Sequence, residues 1–263
     1  MSFWIPDPRF EMPELLIPKE KPNGKAVLDN SSKVLSNADI PSSLSAGMGI
    51  YVAYPDTYTD VLANANNLSV ETIPTFVGGA LRFDGPAEHY YRQVDKDVIN
   101  TRPTFTIVID ATVVGGAGTN RFLGGLNQND GVASYSGTFD RTLTLTTSNT
   151  IRGYIYDGSL EQAISTDTYA VGDRIIACFT VDATRSNSME VVVNGKLVAT
   201  NTTASNNGFN GYSTAYFHTG EGYISGTHSA NSDIRMNGMF LGALTTAQAI
   251  SFTNDPYQFL IPA

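Results

Sequence analysis

Leucine and threonine alternate through "RTLTLTT" (Arg141 to Thr147), and a period of two is the pattern of a β-strand with one face on a core and the other in water. Similar strand texture begins near Gly47. It appears in "GIYVAYPD" (Gly49 to Asp56), "GGALRFDG" (Gly78 to Gly85) and "PTFTIVIDATVV" (Pro103 to Val114), and "IRGYIYDG" follows the Leu/Thr run. "DRIIACFTV" differs, because Ile175, Ala177 and Phe179 make one face apolar while Ile176 and Cys178 do the same for the other. A strand apolar on both faces is predicted to be central and covered.

The strongest local signal is "SMEVVVNGKLVAT" (Ser188 to Thr200), in which Asn194-Gly195 separates two β-rich runs. That pair favours a type I′ hairpin, since both central residues must take positive φ and the turn matches the twist of the strands. A Ser/Asn/Gly-rich loop, "TAYFHTG" and the strand "IRMNGMFLGAL" come next. One helical signal closes the chain. Thr245 and Gln248 have the spacing of a capping box, Ala247 to Phe252 supply about two turns, and Asn254-Asp255-Pro256 ends the element.

Residues 1–45 break this texture. Pro6, Pro8, Pro13, Pro18, Pro22 and Pro41 exclude a helix and remove ladder donors, yet Phe3, Trp4, Ile5, Phe10, Leu15, Leu16 and Ile17 are apolar. An extended arm with that much apolar surface is expected to lie on something, either its own domain or another subunit. A disordered leader is the competing expectation, although such segments are poor in large apolar residues. The division is therefore an arm over 1–45 and one β domain over 46–263.

Composition narrows the partners. A net charge of -9 gives general phosphate binding no electrostatic basis, so nucleic acid is not expected. The single cysteine, Cys178, cannot form an internal disulfide and reads as a small buried hydrophobe. "MSFWIPDPRF" lacks the basic start and apolar run of a secretory signal, and no stretch approaches the roughly 18 apolar residues of a membrane span. Synthesis in a reducing cytosol, with no membrane partner, is expected. Without an internal repeat or heptad, frequent turn signals indicate a β-sandwich or jelly roll.

Five pieces in order carry a family resemblance: "GIYVAYPD"; "GGALRFDG", a Gly-x-Ala-x-x-Phe-Asp-Gly block; "PTFTIVID"; "GDRIIACFTVDATRSNSMEVVVNGKLVAT"; and "IRMNGMFLGALTTAQAISFTNDPYQFL". Over residues 47–260 the chain resembles the laminin-G-like, concanavalin A-like sandwich domains of many bacteriophage virion proteins and extracellular lectin-like modules. The resemblance implies an all-β jelly-roll sandwich whose last strand returns beside its first. It also implies a short helix over an end of the sandwich and a sealing tail of Pro256, Tyr257, Phe259 and Leu260.

The same sandwich serves lectins, glycosidases, adhesion modules and inert building blocks, so the fold does not fix the activity. A glycosidase needs two carboxylates facing one groove, about 5 to 9 Å apart. Asp95 and Asp97 in "VDKDV" share one side of an extended segment, but a charged surface turn explains them equally well. His89, His218 and His228 are the histidines; His218, Glu221 and His228 could be gathered by a hairpin, or could be ordinary residues beside glycine-rich loops. Asp130 or Asp157 could serve calcium, which some laminin-G-like modules bind at the rim. "VVGGAGTNRF" lacks the Lys-Ser/Thr of a nucleotide loop and reads as a connection between strands. Tyr135, Tyr154, Tyr156, Tyr212 and Tyr216 could stack on sugar rings, or pack within the sheets.

The expectation is a non-enzymatic bacteriophage virion structural protein without cofactor, a capsid decoration or accessory head or tail component. Its arm would anchor it on neighbouring virion proteins or on copies of itself. The alternative is a lectin-like module that binds host surface glycan.

Overall fold

The structure is a computed structural model that describes residues 19–20, 26–27, 33–34, 48–53, 69–70, 74–77, 80–84, 90–94, 104–116, 119–127, 140–156, 160–203, 215–220, 230–240, 242–256 and 260–261. Its strands begin with β1 (Lys19–Glu20), β2 (Ala26–Val27), β3 (Lys33–Val34), β4 (Met48–Ala53), β5 (Ser69–Val70), β6 (Thr75–Val77), β7 (Ala80–Phe83) and β8 (Tyr90–Val94). Longer strands follow: β9 (Thr104–Val113), β10 (Arg121–Asn127), β11 (Asp140–Leu145), β12 (Thr150–Tyr156), β13 (Leu160–Thr168) and β14 (Arg174–Asp182). The chain closes with β15 (Met189–Val193), β16 (Lys196–Asn201), β17 (Ala215–Thr219), β18 (Ser232–Phe240), the helix α1 (Thr246–Asn254) and β19 (Leu260–Ile261).

These strands build an all-β sandwich. A seven-stranded sheet runs β13-β12-β11-β10-β17-β8-β5, and an eight-stranded sheet runs β16-β15-β14-β9-β18-β7-β6 with β4 also on β18. Every pairing is antiparallel, and β18 lies beside β4 with Met236 opposite Ala53 and Phe240 opposite Met48, so the last long strand does return beside the opening one. Val34 of β3 pairs with Leu260 of β19, which ties a segment that precedes the sandwich to the end of the chain.

The core lies between the sheets. Ile107, Ile109, Ala177, Phe179, Val191 and Leu143 are buried there. Backbone of the seven-stranded sheet approaches closely where a side chain of the other sheet enters. A Cβ on Gly153 would lie 2.6 Å from Cγ of Phe179, and one on Gly124 would lie 2.8 Å from Nδ2 of Asn237. Asn237 reaches across the core and donates to Oγ1 of Thr219, a polar bridge between the layers.

As expected, β14 is central, with β15 and β9 on its two sides. Cys178 on it is buried, and burial pushes its thiol well above the ordinary range, which makes it a packing residue. The Asn194-Gly195 turn has φ of 48° and 77°, the two positive values of a type I′ hairpin. At α1, Gln248 N donates to Thr245 Oγ1 and Thr245 N donates to Gln248 Oε1, completing the capping box.

Two expectations change. The threonine side of β11 is not wet, because Thr142 is 0% and Thr144 4% exposed. Arg152 of the neighbouring strand folds over Thr144 and donates to its hydroxyl. The helix does not cap an end of the sandwich either. It lies along the outer face of the eight-stranded sheet, with Thr246 on Glu190 at the start of β15 and Thr253 accepting from Gly195 N past its end. Phe252 meets Phe240 edge-to-face at 5.9 Å, so the element seals that face against water. Pro256 is buried after it, while Tyr257 and Phe259 lie outside the described residues.

Candidate functional site

The residue types that could recognise a ligand gather on the outer face of the seven-stranded sheet. Along β12 the burial alternates, with Ile151, Gly153 and Ile155 turned to the core and Arg152, Tyr154 and Tyr156 half-buried on the outside. The register is set by the β11–β12 turn. Asn149 N donates to Thr146 O, Thr146 N donates to Thr150 O, and Asn149 takes a φ of 62°, a type I turn followed by a left-handed residue. Arg121 holds this turn from below. Its guanidinium donates to Asn149 Oδ1 and to Gly115 O, which links the β9–β10 connection to the hairpin. The glycine-rich "VVGGAGTNRF" is therefore the connection between β9 and β10, as its composition implies.

One row of cross-strand partners runs across the face as Gln162, Tyr154, Thr142, Gly125, His218 and Tyr91. A second row runs Ile164, Arg152, Thr144 and Phe122. Leu160 stands opposite Tyr156 at the open margin. The centre of the face is covered, since Phe122, Thr142 and His218 are buried. The β12–β13 margin is open: Leu160 is 52% and Ile164 42% exposed.

Arg152 organises this margin. Its Cζ lies 4.7 Å from the centre of the Tyr154 ring, a cation–π contact, and Nε donates to Thr144 Oγ1 at 3.2 Å. Burial lowers its affinity for its proton, with the phenol group of Tyr154 acting in the opposite sense. Four other described cations hold a carboxylate. Arg82 pairs with Asp233, Arg174 with Asp110, Arg185 with Asp182 and Lys196 with Asp167. Arg152 has no carboxylate partner among the described residues.

Several sequence-selected residues meet here. Tyr154, Tyr156 and His218 share the sheet, and Tyr216 stands two positions before His218 on the same strand, paired with Asn127 and Gln93. Tyr135, Tyr212, His89, His228, Asp95, Asp97, Asp130, Asp157 and Glu221 lie outside the described residues, as do Phe3, Trp4, Ile5, Phe10, Leu15, Leu16 and Ile17 of the arm. Among the described residues no group of three His, Cys, Asp or Glu is placed to hold a metal ion. No described helix is long and apolar enough to cross a membrane. Sequence reasoning passed over Arg152, Gln162, Leu160 and Ile164. A signal existed for Arg152, which sits at the same two-residue period as the tyrosines in "IRGYIY", while "LEQAIS" carries too few apolar residues to announce a strand.

No family model matches the chain, and no curated protein matches it. Solved structures do. The chain is similar to the Trypanosoma rangeli sialidase in complex with sialic acid at a TM-score of 0.58 and 14% identity, over 89% of this chain and 36% of that one. It is also similar to the binding domain of Paraclostridial Mosquitocidal Protein 1, at a TM-score of 0.61 and 16% identity over 81% of this chain and 53% of that one. The botulinum neurotoxin serotype D/C binding domain matches at 0.54 and 11%, over 80% and 52%. The chain thus spans about a third of the length of the sialidase and about half that of the toxin domains. At these identities the likeness is one of fold.

Proposed function

We propose that this chain is a non-enzymatic recognition module that binds carbohydrate on the β12–β13 margin of its seven-stranded sheet. One observation carries the reading. Tyr154 and Tyr156 alternate with Arg152 on an outer strand face, beside exposed Leu160 and Ile164 and the amide of Gln162. A flat aromatic and apolar platform with a polar rim suits the face of a pyranose, and exposed apolar patches on a folded domain mark contact sites. Two of the similar structures are binding domains by description, and one sialidase holds sialic acid, which supports recognition on this scaffold. Asp110, Asp167, Asp182 and Asp233 serve as counter-ions to Arg or Lys, which supports a structural rather than catalytic use of these carboxylates.

A glycan array on the full chain tests this. At least one glycan should bind, and Tyr154→Ala should weaken it about tenfold or more, the loss of a stacking contact worth ~1.5 kcal/mol. An array with no binder sinks the proposal, and release of sugar from a polysaccharide by the purified protein overturns its non-enzymatic half.

A second reading comes from the arm. Seven apolar side chains among six prolines favour a segment that docks on another subunit, as in a bacteriophage capsid decoration or accessory head or tail component. Deleting residues 1–30 should leave a β-rich domain that no longer joins particles. Incorporation of the truncated chain would remove this reading.

A further inference from the structure

The inference rests on the carbohydrate reading and names the chemical class of the ligand. We propose that the β12–β13 margin takes acidic saccharides, bearing a carboxylate or a sulfate ester, and that Arg152 receives the anionic group.

With a net charge of -9, acidic side chains outnumber basic ones, and Arg82, Arg174, Arg185 and Lys196 each hold a carboxylate. Arg152, like Arg121 and Arg235, holds no carboxylate among the described residues, and its own partners are one hydroxyl and one aromatic ring. The ring and the Thr144 hydrogen bond fix the guanidinium plane through Nε. That leaves the two terminal nitrogens with no hydrogen bond to a described residue. A held guanidinium with its fork open matches the paired oxygens of a carboxylate or sulfate, a geometry that a lysine cannot reproduce.

Burial opposes the charge on Arg152, and no carboxylate among the described residues offsets that cost. An anionic ligand would supply the missing counter-charge where water is already partly excluded, so the pairing is stronger than on an open surface. The neighbours supply the rest of a saccharide site. Tyr154 lies two residues along β12, Gln162 is its cross-strand partner and Ile164 is the partner of Arg152. Long polyanions are disfavoured, because their further charges would lie along a protein of net charge -9, within the screening length of about 10 Å. The expected ligand is therefore a short glycan with one terminal acidic group.

Calorimetric titration of the full chain with lactose, 3′-sialyllactose and 3′-sulfated lactose tests the proposal, since the three share one core. At least one acidic probe should bind about tenfold or more tightly than lactose, the increment of one charge-assisted pair. Its affinity should fall between about 50 mM and about 500 mM salt. R152Q should bring the acidic probe down to the level of lactose, R152K should fall between, and both variants should keep the parental melting temperature within about 2 °C. Which acidic probe binds separates carboxylate from sulfate. Lactose binding as tightly as both acidic probes, or an acidic preference that survives in R152Q, overturns the inference. Neutral binders on the glycan array with no response to either acidic probe sink the inference alone; an array with no binder removes the carbohydrate reading and the inference with it.

Discussion

The ring of Phe179 fills the space in which a side chain at Gly153 would stand, so the two sheets touch there through an aromatic ring on bare backbone. Phe105 also packs on that ring, edge-to-face at 5.7 Å. Gly153→Ala should destabilise the protein by about 2 kcal/mol through overpacking. Because Gly153 lies between Arg152 and Tyr154, the same strand shift should weaken glycan binding. Denaturant melts checked beside a binding isotherm measure both, and an unchanged midpoint would show that the sheets do not meet as described.

Asn194 combines two tasks in the β15–β16 turn. Its φ of 48° suits asparagine, and its side chain accepts from Ile176 N at 2.8 Å and donates to Arg174 O at 2.9 Å. Asn194→Gly keeps the turn and loses the two bonds, at about 1–2 kcal/mol. Asn194→Ala adds the strain of a left-handed residue, for a total of about 2–3 kcal/mol. Equal melting temperatures for the two variants would show that backbone conformation contributes nothing at this turn.

Thr142 is wholly buried, and its hydroxyl has no hydrogen-bond partner among the described residues. Valine has nearly the same shape without that cost. Thr142→Val should leave the fold intact and raise stability by up to about 1 kcal/mol, readable as a rise in melting temperature. A fall would mean that the hydroxyl is satisfied in solution.

Tyr169 gives the protein a limit at alkaline pH. Burial, aided by Asp167 and Asp173, pushes its phenol from an ordinary value near 10 up to about 12. The folded state therefore holds the proton more tightly than the unfolded chain does. The associated stability is complete below pH 10 and is lost as pH rises toward 12, up to about 2–3 kcal/mol. Denaturant midpoints measured across that interval should fall, and in Tyr169→Phe the fall should be shallower. Parallel pH profiles for the two proteins would assign the loss to other groups.

The architecture was legible wherever the chain carries a local physical signal. Asn194-Gly195 specifies a turn because few residues tolerate two positive φ values, and Thr245 with Gln248 specifies a helix start because both satisfy free backbone donors. "DRIIACFTV" specifies a covered strand because neither of its faces tolerates water. The seven-stranded sheet was harder to see. Its edge strand β13 reads "LEQAISTDT", whose alternation is diluted by polar residues because the strand has one face at the open margin.

What the amino-acid sequence determined by itself is therefore the set of strands with strong alternation, the hairpin turn and the capped helix, all of which depend on residues within a few positions of each other. Tertiary structure alone decided that the threonines of β11 are dry, that α1 lies along a face, and that Arg152 is held by Tyr154 and Thr144 beside Gln162 and Ile164 of the next strand. Those facts depend on which strands become neighbours and at what register. A shift of one residue in register turns every side chain to the opposite face, and only the packed sheets select between the two.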